Sequence, residues 1–347
     1  MVGDVRKLGM LVALILLFGP SLARAETPAA ATLSVLAGPV ERLPAGATTS
    51  EAGVDGMNLS EGDRIKTGGK GLALITFLNG STVTVLSGSE VTVKQVESRA
   101  SSGIRLLIHA GRVWARVVQA AGRRSTVTLE SNEYAATAHD GLIGAERGAD
   151  GFVCWSRRGE LRLTDRSGQV DTVVTAGRRA RVHFGSPVTP EPFVPSASML
   201  EIRTSGPVLP LVRMPDGRLA AGFLASDVEV NQVFGSLTDR ARGNRWLVEV
   251  PGGHEGAYTL ILTGTGAGSF TADVAGRYAG VTVYRQELKG EAQPGERLFT
   301  RITHDVAGQD PRTARVIEAS FERLRPWDGS EPAAVVARPG ASRAGMN

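Results

Sequence analysis

The chain has 347 residues, with 39 Lys and Arg against 35 Asp and Glu, a formal charge of +4 and one cysteine. So small a surplus of charge argues against a nucleic-acid surface. The lone Cys154 excludes an intramolecular disulfide, so core packing must hold the chain together.

At the N-terminus, Arg6 and Lys7 precede an apolar run over residues 8–18, and Gly19-Pro20 breaks it. Ala23-Arg24-Ala25 then sets small residues where a signal peptidase reads. This predicts a signal peptide over residues 1–25, cleaved before Glu26. The run is shorter than the roughly 20 apolar residues of a spanning helix, and no cysteine near the cleavage site offers a lipid anchor. Removing Arg6, Lys7 and Arg24 against Asp4 leaves a charge of about +2. No second long apolar run follows, so the exported product is expected to be soluble and not membrane-spanning. The roughly 320 residues that remain suggest two domains.

From residue 33 to 184 the chain is a series of short apolar runs, among them 33–36, 72–77, 82–86, 91–96, 104–108, 113–118, 126–129, 152–155, 161–164, 172–175 and 179–184. Glycines such as Gly38, Gly62, Gly80, Gly111 and Gly159 punctuate them. Helical periodicity is absent. Short strands at regular spacing predict a β-roll, barrel, sandwich or solenoid. Asn79-Gly80 between two strands suits a type I′ hairpin turn, which needs two positive φ angles. The polar segment 45–59 reads as a surface loop. Four prolines in residues 186–198 mark a stiff linker. Residues 199–325 are again strand-rich. Residues 251–274 read as a hairpin of a small β-sandwich. Residues 314–325 fit a helix face through Ile317, Phe321 and Leu324, or a strand through Ile317, Ala319 and Phe321. The tail, 326–347, has a disordered composition.

Candidate chemistry is sparse. His109 shares a strand face with Arg105 and Leu107, a partly solvated position. His139, Asp140 and Glu146 are the one local trio that could approach a metal or acid–base role, but Asp140-Gly141 reads as a turn. His183 reads as surface, and His254-Glu255 and His304-Asp305 as loop positions. No paired-histidine spacing, nucleophile elbow or phosphate loop occurs. The Gly-rich run from Gly264 to Ser269 joins strands and opens no helix. Cys154 beside Trp155 reads as a packed thiol. Trp114, Trp155 and Trp246 read as core anchors, although with Trp327 they could form a sugar-stacking platform. The strongest surface signal is arginine: Arg123-Arg124, Arg157-Arg158 and Arg178-Arg179-Arg181. If a roll stacks its turns regularly, Arg157, Arg158, Arg178, Arg179 and Arg181 share one edge as a basic stripe, able to bind acidic envelope polymers or lipid headgroups. The competing reading is solvated charge that blocks edge-to-edge strand pairing.

Several segments resemble the FecR domain family, named for a periplasmic regulator of ferric-citrate uptake. Gly38-Pro-Val-Glu-Arg42 is similar to the opening G-x-V strand, and Leu59-Ser-Glu-Gly-Asp-Arg-Ile-Lys-Thr-Gly68 to the family's L-x-x-G-D-x-I-x-T-G. Leu72-Ala-Leu-Ile-Thr-Phe-Leu-Asn-Gly-Ser-Thr-Val-Thr-Val85 resembles its strand, D/N-G-S turn and strand. Leu106-Leu-Ile-His-Ala-Gly-Arg-Val-Trp114, Gly159-Glu-Leu-Arg-Leu163 and Thr175-Ala-Gly-Arg-Arg179 resemble later strands and turns. Where the family has T-P…V-R-G-T-x-F, this chain keeps Thr137 and Gly144 but carries Ala138, Ile143 and Ala145. The resemblance implies a FecR-type domain over residues 33–185. Its namesake implies signalling from a cytoplasmic anti-sigma segment, for which the few residues before the apolar run leave no room.

The expectation is therefore an all-β chain: a FecR-type β-roll or solenoid-like domain, a Pro-rich linker over 186–198 and a small β-sandwich over 199–325. It is expected to be a non-enzymatic periplasmic or secreted envelope protein without cofactor or metal, binding or scaffolding an envelope protein or glycan. The alternative is a periplasmic sensor or regulator of cell-surface signalling.

Overall fold

The computed structural model describes residues 31–96, 103–119, 125–183, 188–252, 256–307 and 315–326. The leader, Arg123, Arg124, His254, Glu255, Trp327 and the C-terminal tail lie outside them. The described residues are all-β, in open sheets joined by turns. Among them no helix is long and apolar enough to cross a membrane.

The first unit is two facing sheets that share one strand. Along one sheet run Met57–Leu59, Ala31–Ala37, Leu72–Phe77, Thr82–Val85, the second half of Gly103–Val117, Gly141–Gly148, Gly151–Arg158, Arg178–Val182 and Glu191–Pro192. The other runs Glu51–Ala52, Val40–Leu43, Arg64–Thr67, Glu90–Gln95, the first half of Gly103–Val117, Thr126–Glu130, Tyr134–Ala138, Glu160–Asp165 and Asp171–Thr175. The runs at 104–108 and 113–118 are thus one strand that passes from sheet to sheet. It turns the corner at Gly111, whose φ is +82°. A Cβ there would meet Ser89 Oγ at 2.3 Å, so only glycine fits. Side-chain alternation sends Ile104, Leu106, Ile108, Val113, Ala115 and Val117 into one apolar core between the layers. Each of the Ile, Leu and Val side chains among them, fully buried, contributes roughly 1.5–3 kcal/mol.

The G-D-x-I-x-T-G stretch serves this architecture. Asp63 is 1% exposed. Its carboxylate accepts from the Ser60 and Ala45 amides, both at 2.9 Å, and from Arg42 Nε at 3.0 Å. Thr67 Oγ1 donates to the Leu86 carbonyl at 2.6 Å and accepts from the Ser89 amide at 2.9 Å. These two side chains tie three turns to one strand, where no regular ladder could satisfy the backbone.

The second unit is a sandwich of two further sheets. One is ordered Leu237–Ala241, Arg245–Pro251, Ser198–Ser205, Gly268–Tyr278 and Val281–Ala292. The other is ordered Val228–Asn231, Ala220–Ala225, Val208–Arg213, Ala257–Gly264, Arg297–Ala307 and Arg315–Phe321, with Arg325–Pro326 also paired to Arg297–Ala307. Ile202, Trp246, Val248 and Phe270 of the first face Val212, Tyr258, Leu260 and Ile302 of the second.

Several local expectations are corrected. Segment 45–59 contains the paired strands Glu51–Ala52 and Met57–Leu59, and Leu59 is fully buried. At Asn79-Gly80 only Gly80 has positive φ. Its amide donates to the Phe77 carbonyl, and Phe77 N–H donates to Ser81 O. This is a longer loop closed by a glycine bulge, not a type I′ turn. Ala257–Gly264 and Gly268–Tyr278 do not pair as a hairpin; the Gly-rich link carries the chain between sheets. In 314–325 the strand periodicity wins over the helical one, because Arg315–Phe321 completes a sheet edge beside Arg297–Ala307. His304 belongs to the strand Arg297–Ala307 and is buried.

Replacing Asp63 by Ala would strand the Arg42 guanidinium and two amides. Losing one partner of a buried ion pair costs roughly 3–5 kcal/mol. Because Arg42 also reaches Glu51, the expected loss is toward the lower end. Urea unfolding of Asp63→Ala should show a clearly lowered midpoint; an unchanged midpoint refutes this bracketing role.

Candidate functional site

The site grows from the outer face of one sheet. Along Gly103–Val117, alternation turns Val113, Ala115 and Val117 inward and Arg112, Trp114 and Arg116 outward. The next strands present Leu142, Gly144 and Glu146, then Val153, Trp155 and Arg157. Register aligns these into rungs. One rung is Arg112, Glu146, Val153 and Arg181; the next is Trp114, Gly144, Trp155, Arg179 and Glu191.

An indole on a solvent face needs cover, and the chain supplies it. Trp114 is 0% exposed and Trp155 5%. Phe234 of the second unit stands edge-on to both, with ring centroids 5.3 Å from each. Phe193, in the Pro-rich segment, lies 5.9 Å from Trp155 and 6.0 Å from Phe234. Glu191–Pro192 of that segment also pairs with Arg178–Val182. Gly144 makes room for the indoles: a Cβ there would approach Trp114 Cε3 to 2.9 Å and Trp155 Cε3 to 3.1 Å. The Arg112 guanidinium lies over Phe234, 4.7 Å from its centroid, and pairs with Glu146 at 2.8 Å.

Ion pairs ring the aromatic contact. Glu229 of the second unit accepts from Arg158 Nη1 at 2.6 Å and Nη2 at 2.9 Å, a bidentate pair, and from Arg116 Nε at 3.3 Å. It also accepts from Asn231 Nδ2 at 3.0 Å and from the Thr238 hydroxyl. Arg157 pairs with Glu249. Glu249 stands directly across the strands from Glu201, which Arg203 and Arg277 hold at 2.7 and 3.1 Å. Facing each other across two strands, the two carboxyls are coupled, and the proton favours Glu249. Burial pushes the Glu249 carboxyl up, and the Glu201 charge adds to this while Arg157 opposes it. Burial also acts upward on Glu201, but Arg203, Glu249 and Arg277 outweigh it and hold that carboxyl below its ordinary value.

The five arginines anticipated as one stripe are therefore divided. Arg157 and Arg158 face carboxylates of the second unit. Arg179 and Arg181 share the outer face, and Arg179 Nε donates to the exposed Glu191 at 2.8 Å. Arg178, of opposite strand parity, sits at the strand end and is exposed. Arg179 and Arg181 border a recess of about 190 Å³ floored by Val153, with Glu146, Arg112 and Trp155 on its other sides.

His139, Asp140 and Glu146 are not brought together: Glu146 is committed to Arg112, and the other two are exposed at a turn. Among the described residues, no group of three or more His, Cys, Asp or Glu could hold a metal. His109 bonds Thr92 Oγ1 at 2.8 Å, and burial, with Arg64 and Lys94, lowers its pKa. Cys154 faces the core of the first unit, where burial pushes its thiol up to about 12, unlike a reactive cysteine. His183 is exposed with Nδ1 3.1 Å from the Asp150 carbonyl oxygen. His304 Nε2 lies 2.8 Å from Ser198 Oγ, inside the second unit. Sequence reasoning missed Arg112, Arg116, Phe193, Glu229, Phe234 and Glu249. One signal was available: Trp114 has the strand parity of Arg112 and Arg116, and a tryptophan on a charged face implies something that covers it.

No family model matches the chain, and none of the curated proteins does. Among solved structures it is similar to two crystal structures of a "putative anti-sigma factor" from Parabacteroides distasonis. The identity is 10% and the TM-scores are 0.32 and 0.33, with 37% of this chain covered. The chain spans 59% of the length of that neighbour.

Two outcomes follow from this geometry. Gly144→Ala forces a methyl between two packed indoles; overpacking of this kind costs roughly 1–3 kcal/mol. Tryptophan fluorescence should shift and the melting temperature fall, whereas an unperturbed melt contradicts the tight approach. The carboxyl pair sets a pH dependence. Glu249, raised, adds stability below the unfolded carboxylate value and forfeits it as pH climbs through its own. Glu201, lowered, does the reverse and forfeits its share on acidification. The stability of the wild type relative to Glu249→Gln should thus decline from about pH 4.5 toward neutrality. Paired denaturation curves across that range check it, and a difference that grows with pH contradicts it.

Proposed function

We propose that the chain is a non-enzymatic exported envelope protein, with a FecR-type first unit, that binds or scaffolds a protein or glycan of the envelope. The observation that carries this reading is the division of the arginines. Arg116, Arg157 and Arg158 join the units into one body, while Arg179 and Arg181 remain beside an open recess at its edge. Binding surfaces built on such rigid supports lose little conformational entropy on association. The FecR resemblance supports the same reading. Its most specific residues, Asp63 and Thr67, hold turns, so the motif maintains a scaffold and leaves recognition to other positions. The leader-like N-terminus supports export.

Cross-linking of a tagged full-length chain in intact cells, read by mass spectrometry, tests it. The expected result is recovery from the exported fraction with one dominant envelope protein or with envelope polysaccharide, reduced in the Arg179→Glu/Arg181→Glu double variant. A dominant transmembrane partner, with a transcriptional change on deletion, would instead favour the sensor. Recovery from the cytoplasm, or without enrichment of any partner, overturns the proposal.

A further inference from the structure

The recess beside Arg181 has a chemical pattern that basic charge alone does not describe. On its rung, Glu146 and Arg181 flank Val153 from opposite sides, two strand spacings apart, or about 9–10 Å. Glu146 offers acceptors and is held by Arg112, which is itself fixed on Phe234. Arg181 is exposed, and among the described residues it has no carboxylate partner. Among the described residues, the carboxylate that engages Arg179, one rung on, is exposed Glu191. Such a surface pair is worth about 0–1 kcal/mol, so an incoming carboxylate can replace it. A cavity near 190 Å³ is smaller than the roughly 300–1,000 Å³ of drug-sized pockets and suits one monosaccharide-sized group.

We infer that this recess is a subsite for one uronic-acid residue of an acidic glycan, its carboxylate on Arg181 and Arg179 and its hydroxyls donating to Glu146. One pyranose ring, with a hydrogen bond at each end, spans the distance between the two rims, and its C–H surface meets Val153. An acidic peptide fits less well. Its carboxylates supply acceptors only, and they would meet Glu146 and the nearby Asp150 as like charges. This inference rests on the binding reading above and names its ligand class.

Calorimetric titration of the full-length protein with oligoglucuronate, free glucuronate, glucose and polyglutamate tests it. Oligoglucuronate should bind, free glucuronate should compete, and glucose should not. Arg181→Glu, an exposed change, should weaken binding at least tenfold, as loss of a charge-assisted contact implies. Glu146→Gln gives the sharper readout. It should weaken the glycan, whereas simple attraction of an anion to arginine would strengthen when that negative charge is removed. Circular dichroism and melting curves confirm that both variants fold. The inference falls if Glu146→Gln strengthens binding, if glucose binds as well as glucuronate, if free glucuronate fails to compete, or if polyglutamate binds with the same Arg181 dependence. A blank titration beside a cross-linked partner sinks the glycan assignment while the binding reading stands.

Discussion

Two indoles on the wrong side of a sheet organise this molecule. Trp114 and Trp155 point away from the core of their own unit, to a face that would otherwise meet water. Their apolar surface is large, and burying the roughly 150–250 Å² of an aromatic ring contributes about 4–6 kcal/mol. The second unit and the Pro-rich segment supply that burial with Phe234 and Phe193. Gly144 is what lets the two rings lie over one rung of the sheet. The relative placement of the units therefore depends on a residue with no side chain, because any substituent there would hold the rings apart.

The charges around this centre decide which orientation wins. An apolar contact alone is tolerant of sliding. Buried ion pairs contribute little net stability against an apolar alternative, but a misplaced partner leaves an uncompensated charge. Glu229 receives guanidinium groups from two strands of the first unit, and Glu249 receives a third. Each would be left unpaired by a small rotation of one unit on the other. The apolar centre with a charged rim thus behaves like a protein–protein interface built within one chain. The Glu201–Glu249 pair adds a carboxyl that holds its proton more tightly than usual, beside the arginine that crosses between units.

Much of the strand pattern was legible, because alternating apolar residues and turn glycines act locally. The G-D-x-I-x-T-G segment was recognisable for the same reason: Gly62, Asp63 and Thr67 answer local backbone demands. What local reasoning could not reach was pairing at long range. Ala257–Gly264 and Gly268–Tyr278 look like a hairpin because a glycine-rich link separates them, yet each finds better partners in a different sheet. The sequence 45–59 looks like a loop because its strands are short and mostly polar. Arg157 and Arg158 look like surface charge because their carboxylate partners, Glu249 and Glu229, lie far along the chain. His304 looks like a loop residue because its neighbours are polar, yet its partner Ser198 begins a strand of the opposite sheet.

The recess and the contact between the units share side chains, and this limits how independent they can be. Arg112 stacks on Phe234 while pairing with Glu146, and Trp155 touches Phe234 while bordering the recess. A group that draws on Glu146 alters the partner of Arg112, and so the contact Arg112 makes with the second unit. By linkage, any free energy with which occupancy favours the docked arrangement must equal that with which docking favours occupancy. The residues that line the recess all belong to the first unit, and the second unit bears on it through Phe234, which Arg112 and Trp155 both contact.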